Sequence, residues 1–99
     1  MSVNAYRVIK IERAKEPTFN CSFDVEVLDE LFQRINVYDS RNDDGVGYIE
    51  VEVDPLEELV DLADREFVPG FTPPVIKAFR KDIAAVRRQR DTIITYDIY

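Results

Sequence analysis

The fold is decided by residues 47–66, which have the sequence Gly-Tyr-Ile-Glu-Val-Glu-Val-Asp-Pro-Leu-Glu-Glu-Leu-Val-Asp-Leu-Ala-Asp-Arg-Glu. The stretch begins with the alternation of a β-strand, since Ile49, Val51 and Val53 fall on one face. The opposite face carries Tyr48, Glu50 and Glu52. Apolar side chains then recur at helical spacing. The stretch therefore predicts a strand that runs directly into an amphipathic helix.

The boundary between this strand and this helix carries the usual signals of a helix start. Asp54 is a candidate N-cap, Pro55 suits the first helical position, and Glu57 can close a capping box. The predicted apolar face of the helix consists of Leu56, Leu59, Val60, Leu62 and Ala63. We expect the helix to end near Arg65.

The rest of the chain predicts two more strands and two more helices. Residues 3–13 alternate as a first strand, and residues 24–36 carry a helical apolar stripe. A polar loop over residues 36–47 contains an Asp-Gly pair, which is a strong turn signal. Two prolines then favour the start of a last helix over residues 74–90. The β-prone residues 92–99 form a terminal strand.

The segment before the first helix allows two interpretations. Alternating apolar residues at 19–27 are typical of a strand, whereas the spacing after residue 24 is helical. We favour the helix, with the strand pattern ending at Phe23. A β-hairpin made from residues 5–13 and 18–26 stays open as the alternative.

The predicted order of elements is β-α-β-α-α-β. It indicates an α+β fold in which residues 1–99 form a single compact domain, with a three-stranded mixed sheet and helices packed on one face. If the C-terminal strand is an edge, it could pair with a second copy to give a homodimer. The exposed aromatic candidates for such a contact are Tyr48, Phe67, Phe71 and Tyr99, although the surrounding prolines favour Phe67 and Phe71 as lids on the core.

The composition excludes several classes of function. The chain has no histidine and one cysteine, which removes histidine-based nucleophile systems and structural zinc sites. We therefore expect no cofactor, no metal and no enzymatic activity. The lone Cys21, the lack of a signal-peptide pattern and the lack of a long apolar run predict a cytoplasmic protein without a membrane segment.

The charge is concentrated in the middle of the chain. The net charge is −7, but residues 24–66 alone carry 15 acids and three arginines. The predicted acidic face consists of Glu50, Glu52, Glu57, Glu58, Asp61 and Asp64. Such a face predicts docking onto a basic protein, as an inhibitor or phosphate mimic of a nucleic-acid-binding partner. Solubility alone explains the same charge equally well.

Two other functions remain open from the sequence. The last helix has a basic face that could track phosphates in a nucleic-acid-binding regulator. This face consists of Lys77, Arg80, Lys81, Arg87 and Arg88. The strand carboxylates Glu50 and Glu52, with Asp54 next in phase, could instead hold a divalent cation in a metal-dependent hydrolase.

Overall fold

The structure, a computed structural model, describes residues 4–9, 12–13, 18–20 and 25–98. The helices in these ranges are α1 (Val25–Arg34), α2 (Val53–Arg65) and α3 (Pro73–Arg88). The strands are β1 (Asn4–Ile9), β2 (Glu12–Arg13), β3 (Phe19–Asn20), β4 (Val37–Asp39), β5 (Gly47–Glu52) and β6 (Ile93–Ile98). The predicted α+β class and all three predicted helices are confirmed.

The sheet is antiparallel at every described pairing. Its four main strands lie in the order β1-β6-β5-β4, and the short strands β2 and β3 pair with β1. The prediction of three strands in a mixed sheet is wrong for two reasons. β6 lies between β1 and β5, which run in the same direction but are not paired with each other. The short strand β4 adds a further neighbour to β5.

The C-terminal strand occupies the middle of the sheet. Ile98 of β6 pairs with Ala5 on one side and with Gly47 on the other. Residues 96–98 of β6 are therefore paired on both sides within the chain, and β6 is not an edge strand of the sheet. The condition for the predicted homodimer, an edge position of the C-terminal strand, is not met.

The start of α2 differs from the predicted cap. The helix begins at Val53, and Glu52 is the N-cap without a side-chain hydrogen bond. The backbone N–H of Val53 donates instead to the carbonyl of Thr92 at 2.9 Å. The residue that precedes β6 therefore satisfies one of the N–H groups at the helix start that have no partner within the helix. Asp54 and Pro55 consequently lie inside the first turn of the helix.

The inward side of the sheet and the helices share one core. Ile49, Val51 and Val53 are buried as predicted, while Tyr48 on the opposite face is exposed. The predicted apolar residues of α2 are buried or half-buried, and Ile94, Tyr96 and Ile98 of β6 are buried as well. Alternate residues of β5 are thus buried, and α2 contacts β5 while α3 contacts β6.

The two phenylalanines of the α2–α3 connection have opposite surroundings. Phe71 stacks on Phe79 with ring centroids 5.5 Å apart, so its prediction as a core lid is confirmed. Phe67 has 87% of its surface exposed, so the same prediction for Phe67 is wrong. Tyr99 and Cys21 lie outside the described residues.

The interpretation of residues 19–27 is settled in part. Phe19 pairs with Ala5 in antiparallel register, as the hairpin alternative requires. Val25 is helical, so the strand portion of that alternative does not reach residue 26. Residues 21–24, which contain the end of the predicted strand pattern, lie outside the described ranges.

Candidate functional site

The charged faces of α2 and α3 contact each other. Arg80 of α3 donates from Nη1 to Oδ1 of Asp61 at 3.0 Å, and from Nη2 to Oδ2 of Asp64. These two acids lie three residues apart on α2, so they sit on adjacent turns of one helix face. The hydrogen bonds to Asp64 and Asp61 raise the pKa of the Arg80 guanidinium above its ordinary value. One arginine thus bridges two carboxylates.

A second arginine repeats this arrangement one heptad away. Arg87 donates from Nη1 to Oε2 of Glu57 at 2.6 Å and from Nη2 to Oδ1 of Asp54 at 3.0 Å. The two arginines and the two acid pairs are each offset by seven residues, so the rows run alongside each other on antiparallel helices. The four acids that α3 neutralises are Asp54, Glu57, Asp61 and Asp64.

The predicted basic face is therefore partly used inside the molecule. Arg80 and Arg87 are bound to α2, which removes two of the five cations proposed to track phosphates. Lys77, Lys81 and Arg88 are exposed, and the described part of the chain gives them no ion pair. Three of the five cations of the predicted basic face are therefore without an ion pair to any described residue.

The predicted acidic face divides into two sides in the same way. Glu57, together with Asp61 and Asp64, faces the arginines of α3. Glu58 and Glu52 border the opposite side of α2, towards α1. Neither these two acids nor Glu50 has an ion pair with any described residue. Within the predicted acidic face, the carboxylates without an ion pair to a described residue therefore lie on the side of α2 that faces away from α3.

Glu52 and Glu58 border a groove of about 600 Å³ between the C-terminal end of α1 and α2. Its apolar lining consists of Phe32, Ile35, Leu59 and Leu62, all beside the main core. Arg34 also lines the groove, but its Nε donates to Oε2 of Glu30 at 2.7 Å. The groove thus combines an apolar floor with an acidic rim.

A second hollow of about 270 Å³ continues this surface over the end of the sheet. It shares Glu52 and Asn36 with the larger groove and adds the free carboxylate of Glu50. Two exposed apolar side chains, Tyr38 and Ile93, lie in it. We refer to the two hollows together as the acidic groove, whose three free acids are Glu50, Glu52 and Glu58.

The carboxylates proposed for a metal site are not assembled into one. The strand alternation that would align Asp54 with Glu50 and Glu52 ends where α2 begins. Asp54 is bound to Arg87 instead. Among the residues that the structure describes, no group of three acidic, histidine or cysteine side chains is placed to hold a metal ion.

A buried polar cluster was missed by the sequence analysis. Asp82 of α3 accepts hydrogen bonds from Arg7 Nε at 3.2 Å, Thr18 Oγ1 at 2.5 Å and Tyr96 OH at 2.8 Å. All four residues are at least nine-tenths buried. The sequence did contain a sign of this cluster. Asp82 lies three residues after Phe79 and directly before Ile83, so this acid falls on the buried apolar face of α3. This cluster ties α3 to β1, to β6 and to the segment before β3.

Tyr96 makes the stability of this cluster dependent on pH. Burial, followed by the charge of Asp82, raises the pKa of the Tyr96 hydroxyl well above its ordinary value of 10.0. In the unfolded chain this hydroxyl ionises near its ordinary pKa, whereas in the folded chain it keeps its proton. The stability that Tyr96 contributes is therefore present below the ordinary pKa and is lost as pH rises towards the raised one.

We expect the free energy of unfolding to fall by up to about 1.4 kcal/mol per pH unit above the ordinary tyrosine pKa because of Tyr96. Urea unfolding at several pH values between neutral and strongly alkaline measures this slope. Tyr96→Phe is the control, since phenylalanine cannot ionise, and it should show a shallower fall. Equal slopes for the two proteins would contradict the assignment.

Comparisons of the chain with known proteins identify no relative. No protein-family model, no curated protein and no solved structure matches the chain. In the described ranges, none of the helices has the length and apolar character needed to cross a membrane. Function must therefore be inferred from the geometry and charge of the acidic groove.

Proposed function

We propose that this chain is a small, non-catalytic, cytoplasmic interaction protein that docks its acidic groove onto a basic, amphipathic segment of a partner protein. The partner segment would place lysine or arginine side chains at the rim and apolar side chains on the floor. A partner that normally binds nucleic acid fits this chemistry, since the rim carboxylates can occupy the places of phosphates. The chain would then act as an inhibitor or phosphate mimic.

One observation carries this proposal. The chain uses its own arginines to neutralise four acids of α2, yet no described residue gives Glu50, Glu52 or Glu58 an ion pair around the apolar hollow. Charge that served only solubility would have no reason to surround apolar side chains. The arrangement is instead complementary to a segment that is basic on one side and apolar on the other.

The two parts of the acidic groove would contribute differently to binding. The carboxylates attract a basic segment over a distance of about one Debye length and orient it on arrival. Desolvation of the half-buried side chains of the apolar floor, which include Phe32 and Leu62, would add to the affinity. We therefore expect the rate of association to depend on salt more strongly than the rate of dissociation.

Nucleic-acid binding through α3 has weaker support. It would rely on Lys77, Lys81 and Arg88 alone, in a chain whose net charge is −7. A body of that charge repels phosphates at low salt, where binding to nucleic acid is normally strongest.

The double variant Glu52→Lys/Glu58→Lys should weaken partner binding by at least about tenfold, since reversal replaces attraction at the rim with repulsion. The measurement begins with quantitative affinity capture from the host lysate, with and without nuclease treatment. The enriched basic protein is then purified, and its Kd is measured at two or more salt concentrations. The wild-type affinity should fall as salt rises, and the variant should show a smaller salt dependence.

Asp43→Lys/Asp44→Lys is the matched control. It makes the same change in charge at two exposed residues of the β4–β5 loop, at the opposite end of β5 from Glu52. The control should keep the wild-type affinity to within about twofold. If both double variants bind as the wild type does, or if capture depends on nucleic acid, the proposed docking is wrong.

A further inference from the structure

An exposed phenylalanine lies at the turn between α2 and α3. Phe67 has 87% of its surface exposed, whereas its neighbour Val68 is buried. The loop that presents it is held by hydrogen bonds from Phe71 N–H to the Val68 carbonyl at 3.1 Å and from Thr72 N–H to the Gly70 carbonyl at 3.0 Å. An ordered backbone therefore fixes Phe67 as a projecting apolar side chain.

A hollow of about 400 Å³ lies where the α2–α3 connection meets α3. Its apolar lining consists of Ala63, Phe71, Pro73 and Ile76, and its charged lining consists of Lys77 and the ion-paired Asp64 and Arg80. Phe67 lies in the sequence between Ala63 and Phe71, four residues from each. The projection is therefore close to the hollow along the chain, and the hollow shares no lining residue with the acidic groove.

Two free charges accompany these features. Glu66 adjoins Phe67 in sequence, and Lys77 lines the hollow. Both are exposed, and neither has an ion pair with a described residue. The projection therefore carries a negative charge beside it, while the hollow carries a positive one.

We propose that two copies of this chain form a twofold-symmetric homodimer in which Phe67 of each copy enters the hollow of the other. A projection beside a hollow is self-complementary under a twofold axis, because each copy offers both halves of the contact. The same rotation brings Glu66 of one copy to Lys77 of the other, so the charges support the second copy as the occupant. Each interface then contains two buried phenylalanines and two ion pairs.

The expected dimer is weak. A phenylalanine buries roughly 150–250 Å² in such a contact, and two of them fall short of the total of about 1,200 Å² typical of stable complexes. We therefore expect a dissociation constant in the micromolar range or above, on the order of 10–100 μM.

Sedimentation velocity over a wide range of protein concentrations tests the dimer. The wild type should shift towards the mass of two chains as concentration rises. Phe67→Ser should weaken association by at least about tenfold, since it removes an anchor from both halves of the contact. The control Tyr48→Ser changes an exposed aromatic residue that lines neither the hollow nor the acidic groove, and it should associate as the wild type does. Circular dichroism checks that each variant folds.

Exchanging the charges of Glu66 and Lys77 distinguishes this specific contact from nonspecific association. Lys77→Glu alone should weaken the dimer, because it places two acids opposite each other. The double variant Glu66→Lys/Lys77→Glu should restore it to within about threefold of the wild type, because each ion pair is reformed with its signs exchanged. A wild type that stays monomeric at the highest concentration, association unchanged by Phe67→Ser, or no recovery in the double variant would overturn the proposal.

Discussion

Asp82→Ala should lower the free energy of unfolding by about 3–5 kcal/mol, because it leaves the guanidinium of Arg7 buried without its counter-charge. The substitution also deprives the buried hydroxyls of Thr18 and Tyr96 of their acceptor. Domains of this size are stabilised by about 5–15 kcal/mol in total. Loss of this single carboxylate therefore removes a large part of the stability. Urea unfolding at neutral pH measures the change.

Two comparisons identify the cause of that loss. Asp61→Ala removes an exposed acid that binds Arg80, and it should cost no more than about 1 kcal/mol. The double variant Arg7→Met/Asp82→Leu replaces both buried charges with apolar side chains and should be more stable than Asp82→Ala alone. If Asp82→Ala costs as little as Asp61→Ala, the buried cluster does not contribute as described.

Gly70→Ala should cost about 2–4 kcal/mol, since two separate penalties fall on the same residue. Gly70 has a φ of +82°, which side chains other than glycine rarely adopt. A Cβ at this position would also lie 2.8 Å from the backbone nitrogen of Val27 in α1. The α2–α3 connection therefore approaches the first turn of α1 at a point where only a hydrogen atom fits.

Gly45→Ala is the matched control for this second prediction. Gly45 has nearly the same φ, +79°, but a Cβ added there would meet no atom within 4 Å. It should therefore show the backbone penalty alone, about 1–2 kcal/mol. The difference between the two free energies of unfolding, measured under identical conditions, isolates the steric contact with α1. Equal losses for the two variants would show that this contact is not tight.

The local structure of the chain followed from its sequence, whereas its long-range pairing did not. The alternation from Tyr48 to Val53 and the apolar stripe of α2 are local patterns, and both were predicted correctly. The position of β6 between β1 and β5 depends on contacts between distant residues, which periodicity does not encode. β4 was missed because Val37–Asp39 is too short to show alternation inside a polar stretch.

The acidic groove was predictable in composition but not in extent. Counting charges identified Glu57 and Glu58 alike as members of an acidic face. The structure separates them, because adjacent helical residues point about 100° apart and Glu57 meets Arg87 while Glu58 borders the groove. The seven-residue spacing of Arg80 and Arg87 matches that of the acid pairs on α2, which was a usable signal for their pairing. The apolar floor was not predictable from local patterns, because it is formed by residues of α1 and α2 that meet only in the folded chain.

Site-specific photo-crosslinking tests the docking proposal most directly. A photoreactive amino acid in place of Gln33, an exposed residue that lines the groove, would lie within reach of a bound segment. The control carries the same group in place of Arg88 on the exposed side of α3. Irradiation in host cells should join position 33 to a basic protein, and Glu52→Lys/Glu58→Lys should abolish this product. Crosslinks from position 88 alone, or products at position 33 that survive the charge reversal, would contradict docking through the acidic groove.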